Sequence, residues 1–284
     1  MKKRSTKEIK LQAKKALQGH VGTVLLGLLA VYGLNMLGTI LSTNLFSGTS
    51  PLDLVLSEVF MLVVSLIVGI ISAGFGYMLL NISRGKEFSL GDLGYFFKNQ
   101  PDRVIIAGFV LAVIQIVTAI PYYYVSFTTD PGLTVDSQIK WLSMTLGLLA
   151  VSTLLNFLIS LPFAMTYFLM ADDTELGGLQ ALKESARLMK GNLWRYMKLN
   201  LSFVPLLLLS VFTFYIALFW IMPYMEMSMV AFYRDLDGEL DYRLPGNEGF
   251  GSFHNWTNDS GDGYDTENND GYRNDSEDDY NSEA

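Results

Sequence analysis

Long apolar segments alternate with short polar connections along most of this chain. Four apolar segments, residues 21–41, 55–80, 104–122 and 141–170, are long enough to cross a bilayer as helices, since a crossing needs about 20 apolar residues. A fifth stretch, residues 193–233, is long for one helix and short for two. The pattern predicts an all-α membrane protein.

Positive residues fall on alternate connections between these segments. Seven Lys/Arg precede the first segment, four lie within residues 81–103 and five within residues 171–198, whereas the other two connections hold one in total. Because Lys and Arg are retained on the cytoplasmic side, the N-terminus is predicted to be cytoplasmic. The basic region is too long for a cleaved signal peptide, and no small-residue cleavage site closes the first apolar segment.

Each of the three basic connections starts with a short amphipathic pattern and ends with a helix breaker. Ser5 with Glu8, and Ser89 with Asp92, have the spacing of a capping box. We expect these short helices to lie in the headgroup layer, with lysines toward anionic lipid and aromatic rings in the interfacial belt. The predicted lipid-facing residues are Lys14, Lys15, Lys190, Trp194, Arg195 and Lys198.

A comparison of two prolines bears on the fifth stretch. The segment that starts at Pro223 resembles the one that starts at Pro162, at the inner end of the fourth apolar segment. The match predicts a hairpin with a turn near residues 214–217. The fold prediction is therefore six transmembrane helices as three hairpin repeats, each preceded by a short amphipathic interfacial helix, with both termini cytoplasmic. The alternative is five spans, with the C-terminal tail outside.

Composition separates a membrane domain from an acidic tail. Half of the residues are apolar and 17% are charged, against about a quarter in soluble domains. Residues 1–233 hold 17 Lys/Arg and 13 Asp/Glu, a net charge of +4, whereas residues 234–284 hold 3 and 15, a net charge of −12. We predict a transmembrane domain over residues 1–236 and a disordered cytoplasmic tail over residues 237–284.

Three segments resemble domain-of-unknown-function family 975, uncharacterised integral membrane proteins found mostly in Gram-positive bacteria. They are KEIKLQAKKALQGHVGTVLL near the N-terminus, ALKESARLMKGNLWRYMKLNLSF at residues 181–203 and PYMEMSMVAFYRDL at residues 223–236. The resemblance covers about residues 7–236. It implies a bacterial cell membrane protein and assigns no reaction.

Polar residues inside apolar segments are the candidates for a functional site. Glu226 lies within the last span, where a carboxylate is costly and could relay a proton or bind a cation or a lipid amine. The alternative is a polar partner in the bundle or water in a shallow vestibule. Asn35, Gln115 and Asn156 either line a path with Glu226 or form interhelical hydrogen bonds.

A stripe of small residues follows one face of the second span. It consists of Ser65, Gly69, Ala73 and Gly76. Such a face lets a neighbouring helix pack closely, either within the chain or in a homodimer.

The sequence holds no recognisable catalytic constellation. It has no cysteine, and its two histidines lie at opposite ends, which argues against thiolate and histidine-rich metal sites. Asp172, Asp173 and Glu175 fit the start of a helix better than a cation site. We expect no metal, no cofactor and no nucleic-acid partner. The predicted function is non-enzymatic: organising lipids or protein partners, or supporting the envelope. The alternative is a transporter or channel for a small solute or lipid.

Overall fold

The computed structural model describes residues 3–47 and 50–242. Within them the chain is 83% helical and contains no β-strand. The helices are α1 (Thr6–Leu17), α2 (Val21–Leu45), α3 (Pro51–Arg84), α4 (Tyr95–Lys98), α5 (Pro101–Thr128), α6 (Val135–Ser160), α7 (Thr166–Asp172), α8 (Gly178–Met189), α9 (Leu193–Leu201), α10 (Val204–Phe212), α11 (Leu218–Leu236) and α12 (Glu239–Tyr242). Two short 3₁₀ helices, Leu90–Gly94 and Leu161–Phe163, precede α4 and α7.

Five helical stretches are long and apolar enough to cross a membrane. They are Val21–Leu45, Leu52–Arg84, Pro101–Thr128, Val135–Asp172 and Leu193–Phe212. In each stretch, no more than 22% of the most apolar 18-residue segment is buried inside the protein. Apolar surface on this scale is covered by lipid in membrane proteins. The structure therefore confirms the prediction of an all-α protein and contains helices suited to crossing a membrane.

Helix α11 is the candidate for a sixth span. It has 19 residues and follows a turn in which Phe214 and Tyr215 have φ values of 50° and 64°. It does not belong to the five stretches above, because Glu226, Arg234 and Asp235 reduce its hydropathy. The six-span, three-hairpin arrangement stays a prediction.

The predicted start and stop signals explain where several helices begin and end. The Ser5 amide donates to the Glu8 carboxylate at 2.7 Å, which forms the capping box of α1. Gly19 and Gly191, with φ values of 82° and 79°, redirect the chain before α2 and α9. Glycine suits both positions because a Cβ is strained at positive φ.

The buried core lies where the helices of the basic connections meet the ends of the long helices. Helix α1 buries Ile9, Ala13 and Leu17, and it packs mainly on α11. Helix α8 buries Leu182 and Met189, and it packs on α5 and α7. The apolar faces predicted to enter the headgroup layer are therefore occupied by contacts within the protein.

The middle basic connection forms no long amphipathic helix. It consists of a 3₁₀ helix and one turn of α4, and only Phe96 of its apolar residues is fully buried. The connection lies directly on α3, because Gly74 leaves no side chain between the two backbones. A Cβ on Gly74 would lie 2.3 Å from the carbonyl oxygen of Leu93.

The predicted tail begins with ordered structure. Residues 239–242 form α12, and the Glu239 carboxylate accepts hydrogen bonds from Arg84 and Arg234. These contacts bind the chain back onto the ends of α3 and α11, which differs from the disorder predicted from residue 237 onward. The remainder of the predicted tail, residues 243–284, lies outside the described residues.

Candidate functional site

An open cavity of about 440 Å³ lies between α2, α3, α5, α6, α7 and α9. Its wall combines apolar side chains with uncharged polar ones. The polar side chains are Asn35, Ser65, Ser72, Gln115, Asn156, Ser160, Tyr167 and Tyr196. Its volume lies within the range of small-molecule sites, about 300–1,000 Å³.

Three of the four residues predicted to form an intramembrane polar site meet in this cavity. Asn35, Gln115 and Asn156 come from three different helices and line the same space. Asn156 also donates a hydrogen bond of 3.2 Å to the Thr118 hydroxyl. Its amide therefore both faces the cavity and joins α6 to α5, so the two alternatives derived from the sequence coexist.

The cavity reaches deep along two of the helices that line it. Gly108 is seven residues after the start of α5 and Ser65 is nineteen residues before the end of α3. At 1.5 Å per residue, these positions are about 10 and about 28 Å from the ends of their helices at residues 101 and 84. In a bilayer crossed by these helices, this range includes the middle of the hydrocarbon core.

Two glycines make room for the Tyr167 hydroxyl. A Cβ would lie 3.3 Å from that oxygen at Gly69 and 3.8 Å from it at Gly108. Among the described residues the hydroxyl has no hydrogen-bond partner. A hydroxyl at a cavity wall without a protein partner is free to donate to a bound molecule.

A break in the fourth apolar stretch shapes one side of the cavity. Pro162 has no N–H to continue α6, and a 3₁₀ turn separates α6 from α7. The buried Ser185 hydroxyl of α8 donates to the Pro162 carbonyl at 2.8 Å and accepts from the Met165 amide at 3.1 Å. These bonds satisfy backbone groups that the break exposes, as interrupted membrane helices require.

Glu226 lies outside the cavity lining but shares a neighbour with it. The residue as a whole is partly buried, and its carboxylate has no hydrogen bond or ion pair to the described residues. It lies in the neighbourhood of Tyr32 and Tyr196, and Tyr196 lines the cavity. The structure therefore places Glu226 apart from Asn35, Gln115 and Asn156.

The small-residue face of α3 is used inside the chain. Gly69, Ala73 and Gly76 are buried, and a Cβ on Gly76 would touch the Phe168 ring at 3.4 Å. Ser65, the fourth residue of this face, lines the cavity. Helix α7 thus packs where the alternative interpretation placed a second copy of the chain.

Most of the residues predicted to face lipid are exposed. Lys14, Lys15 and Lys190 are exposed, and Lys198 lies with Nζ 5.5 Å from the centre of the exposed Trp194 ring. Arg195 differs, because its guanidinium donates to Asp235 and to the carbonyl oxygen of Arg4. Its position is set by contacts inside the protein.

An ion-pair cluster at one end of the bundle was not recognised from the sequence. Asp235 bonds to Arg4 and Arg195, and Arg84 donates to Asp172 and Glu239. The remaining contacts are made by Tyr233, Arg234 and Asp241. The adjacent opposite charges of Arg234 and Asp235 were the feature of the sequence that could have indicated this cluster. They do not identify their partners, some of which lie more than 150 positions away.

Two carboxyls at the edge of this cluster have perturbed pKa values. Burial alone would raise the pKa of Glu239, but hydrogen bonds from Arg84 and Arg234 outweigh burial and lower it. Burial, together with the carboxylates of Asp172 and Glu239, raises the pKa of Asp237. The cluster therefore stabilises the ionised form of Glu239 and disfavours the ionised form of Asp237, two residues away.

The acidic residues after the fourth apolar stretch have protein partners. Asp172 accepts from Arg84 and Tyr233, and Asp173 accepts from the Glu175 amide at 2.8 Å. Across residues 3–47 and 50–242, no three His, Cys, Asp or Glu side chains form a group able to hold a metal ion.

Comparison with known proteins identifies the family and no closer relative. The profile described as "Protein of unknown function (DUF975)" matches residues 1–239, so the chain belongs to this family. The match confirms the resemblance found in the three sequence segments. No curated protein and no solved structure matches the chain.

Proposed function

We propose that this member of the DUF975 family is a non-enzymatic, multi-pass protein of the bacterial cell membrane that holds a lipid between its helices. The observation that carries the proposal is the cavity, which combines an apolar wall with amide and hydroxyl groups at membrane depth. A lipid has matching parts, since its chains suit the apolar wall and its polar group suits the hydrogen-bonding side chains.

A membrane location follows from the surface of the long helices. Their most apolar windows are largely unburied, and large side chains such as Leu208 and Phe212 are exposed. We place α11 as the sixth span, returning the chain through the membrane after the turn at residues 213–217. The distribution of Lys and Arg then puts both termini in the cytoplasm.

The basic end of the bundle supports contact with anionic lipids. Lys14 and Lys15 extend from α1, and Lys190 and Lys198 extend from the region of α8 and α9. All four are exposed and lie on segments predicted to be cytoplasmic. Lysines near a membrane surface gain about 1 kcal/mol each from an anionic leaflet, which holds this end of the protein against the headgroups.

The non-enzymatic part of the proposal rests on the chemistry of the cavity wall. The side chains that line it include two tyrosines but no Asp, Glu, His, Lys or Arg. General acid–base and nucleophilic catalysis use an activated group with a charged or basic partner. The lining is instead suited to binding.

Lipid retention tests the function. The protein is purified in a mild detergent, and retained lipids are quantified by mass spectrometry. Ala112→Phe places a ring in the cavity, whereas Ala150→Phe adds one to an exposed position on α6. We expect a specific lipid to be retained by the native chain and Ala150→Phe, and to be lost from Ala112→Phe. Equal retention by all three would contradict binding in the cavity.

Single-cysteine labelling tests the topology, because the native chain has no cysteine. A membrane-impermeant maleimide is applied to intact cells carrying Asp130→Cys, Tyr215→Cys, Glu87→Cys or Glu283→Cys. We expect labelling of the first two and protection of the last two until the cells are lysed. Labelling of Glu283→Cys in intact cells would overturn the six-span arrangement.

A second candidate function, transport through the cavity, is favoured by the position of Tyr196. This residue lines the cavity and lies in the neighbourhood of Glu226, whose carboxylate has no hydrogen-bonding partner among the described residues. Currents evoked by pH jumps in proteoliposomes on a solid support test for a proton-coupled step. Loss of such currents in Glu226→Gln, but not in Glu87→Gln, would favour transport, whereas absence of currents in the native protein would exclude this step.

A further inference from the structure

We propose that the cavity selects a lipid whose polar group is uncharged and carries hydroxyl or ester oxygens, such as a diacylglycerol, in preference to phospholipids. This inference rests on the proposed lipid-binding function and names its ligand class. It is carried by the side chains around the cavity, by the Tyr167 hydroxyl and by the depth of the site.

The wall of the cavity offers no counter-charge to a phosphate. None of its side chains is cationic, and phosphate sites in proteins are built from Arg, Lys or the N-terminus of a helix. Two arginines of the lining helices are engaged elsewhere, and Lys198 of α9 is exposed and does not line the cavity. Arg103 of α5 donates to the Asp173 carbonyl at 2.7 Å, and Arg195 of α9 donates to the Asp235 carboxylate. A phosphate in the cavity would lose its hydration without compensation.

The available hydrogen-bonding groups suit neutral oxygens. The amides of Asn35, Gln115 and Asn156 each carry donors and an acceptor, and they approach the cavity from three helices. Gln115 makes no side-chain hydrogen bond to the described residues. A hydroxyl can donate to and accept from such amides, and an ester carbonyl can accept from them.

Tyr167 adds a donor at a defined position. Its hydroxyl lies beside Gly69 and Gly108, so the absence of two side chains keeps the space around the oxygen open. Among the described residues it has no protein partner. The geometry therefore assigns Tyr167 as the residue that donates to the oxygen of the bound lipid.

The depth of the cavity favours the same class of ligand. Tyr196 lies three residues, about 5 Å, from the start of α9, but Asn35 and Gln115 each lie fourteen residues, about 21 Å, from the starts of α2 and α5. The depth of these two amides is near the middle of the hydrocarbon core. A phosphate headgroup would leave the water interface to reach this depth, at the high cost of burying a charge. An uncharged hydroxyl or ester crosses the same distance at far lower cost.

The test compares two photoactivatable probes with identical acyl chains, a diacylglycerol and a phosphatidylglycerol. Full-length protein is reconstituted in phosphatidylcholine nanodiscs, cross-linked and digested, and the labelled peptides are mapped. We expect the diacylglycerol probe to label peptides containing residues 108–115 and 156–167, and unlabelled diacylglycerol to compete. Labelling by the phosphatidylglycerol probe at these peptides should be at least about tenfold weaker.

Variants identify the donor. Tyr167→Phe removes one hydroxyl without changing the ring, and it should weaken diacylglycerol labelling about three- to tenfold, the range for one lost hydrogen bond. Tyr124→Phe is the matched control, because this tyrosine lies on α5 with its side chain exposed and outside the cavity. Gln115→Leu is the second variant. The Gln115 amide makes no hydrogen bond to the described residues, so its replacement should not destabilise the fold.

The outcomes separate this inference from the proposed function. Equal labelling of the cavity peptides by both probes would overturn the preference for an uncharged lipid and leave lipid binding intact. If neither probe labels the cavity peptides, the inference and the proposed lipid-binding function would both be overturned. Unchanged diacylglycerol labelling in folded Tyr167→Phe and Gln115→Leu would also overturn the inference, because the hydrogen bonds that define the ligand class would then be absent.

Discussion

Arg4 and Asp235 form an ion pair of 3.2 Å between residues 231 positions apart in the sequence. The pair connects the start of α1 to the last turn of α11. The Asp235 side chain is 1% exposed and also accepts from Arg195, whereas both arginine side chains are 21% exposed. One buried carboxylate thus joins three elements that are distant in sequence.

Replacing this carboxylate should destabilise the fold. Asp235→Asn keeps the size of the side chain but leaves Arg4 and Arg195 without their shared counter-charge. Breaking a buried ion pair costs about 3–5 kcal/mol, and we expect about 3 kcal/mol because both arginines keep some contact with solvent. The free energy of unfolding in detergent, measured by denaturant titration, checks this. Asp53→Asn, in an exposed side-chain contact at the start of α3, is the control and should change stability by less than about 1 kcal/mol.

Replacing Asp237 should have the opposite effect at neutral pH. Burial and the neighbouring carboxylates of Asp172 and Glu239 raise its pKa above 3.8, so the folded chain binds this proton more readily than the unfolded chain. The ionised group therefore destabilises the fold above its folded pKa, and the penalty disappears as the pH falls toward 3.8. Asp237 also ends α11, where the helix dipole disfavours an anion by about 0.3–1 kcal/mol.

We therefore expect Asp237→Asn to raise the melting temperature at pH 7. The difference from the native chain should shrink as the pH is lowered through the folded pKa of Asp237. Thermal unfolding followed by tryptophan fluorescence at a series of pH values measures both effects. A melting temperature that is lower at pH 7, or a difference independent of pH, would contradict the electrostatic explanation.

The close contact between α3 and the middle basic connection should not tolerate a methyl group. At Gly74 an added Cβ would lie 2.3 Å from the Leu93 carbonyl oxygen and 2.7 Å from that of Asp92. Because both atoms belong to the backbone, Gly74→Ala must displace the connection, and we expect a loss of about 2 kcal/mol or more. The matched variant Gly147→Ala meets nothing within 4 Å and should leave the unfolding temperature unchanged or slightly raised. Similar stability of the two variants would show that the helix and the connection are not packed this closely.

A second carboxylate within the spans has a partner that the sequence did not reveal. The Tyr123 hydroxyl of α5 donates to the Glu58 carboxylate of α3 at 2.6 Å. Tyr123→Phe should destabilise the protein by about 1 kcal/mol, which is typical of a polar contact between membrane helices. In a double-mutant cycle with Glu58→Gln, the two effects should be non-additive. Strictly additive effects would mean that the bond does not contribute.

Some features followed directly from the chain. The apolar segments near residues 21–41, 55–80 and 104–122 became α2, α3 and α5, and the capping box at Ser5 formed as its spacing predicted. These features depend on a run of neighbouring residues, so local hydropathy and local hydrogen bonds are sufficient to specify them. Asn35, Gln115 and Asn156 were also identified as candidates, because an amide within an apolar helix is costly wherever it lies.

Other features required the packing of the helices. The sequence grouped Glu226 with the three amides, but the structure places it outside their cavity. It assigned Arg195 to lipid, whereas the guanidinium bonds to Asp235. Tyr167, Ser185 and Glu58 gave no signal that distinguished them from other polar residues near a span. Each has a role only through partners that are distant in sequence or on other helices. Tyr167 lies beside Gly69 and Gly108, Ser185 bonds to Pro162, and Glu58 accepts from Tyr123.

The amino-acid sequence alone determined which segments are apolar enough for a membrane, where most helices begin and end, and which connections carry the positive charge. The tertiary structure decided which polar side chains share a cavity and which charges pair. The reason is physical: the transfer of a helix into lipid is close to a sum over its own residues. A cavity or an ion pair instead depends on the rotation and depth of each helix relative to its neighbours, which many weak packing contacts fix together.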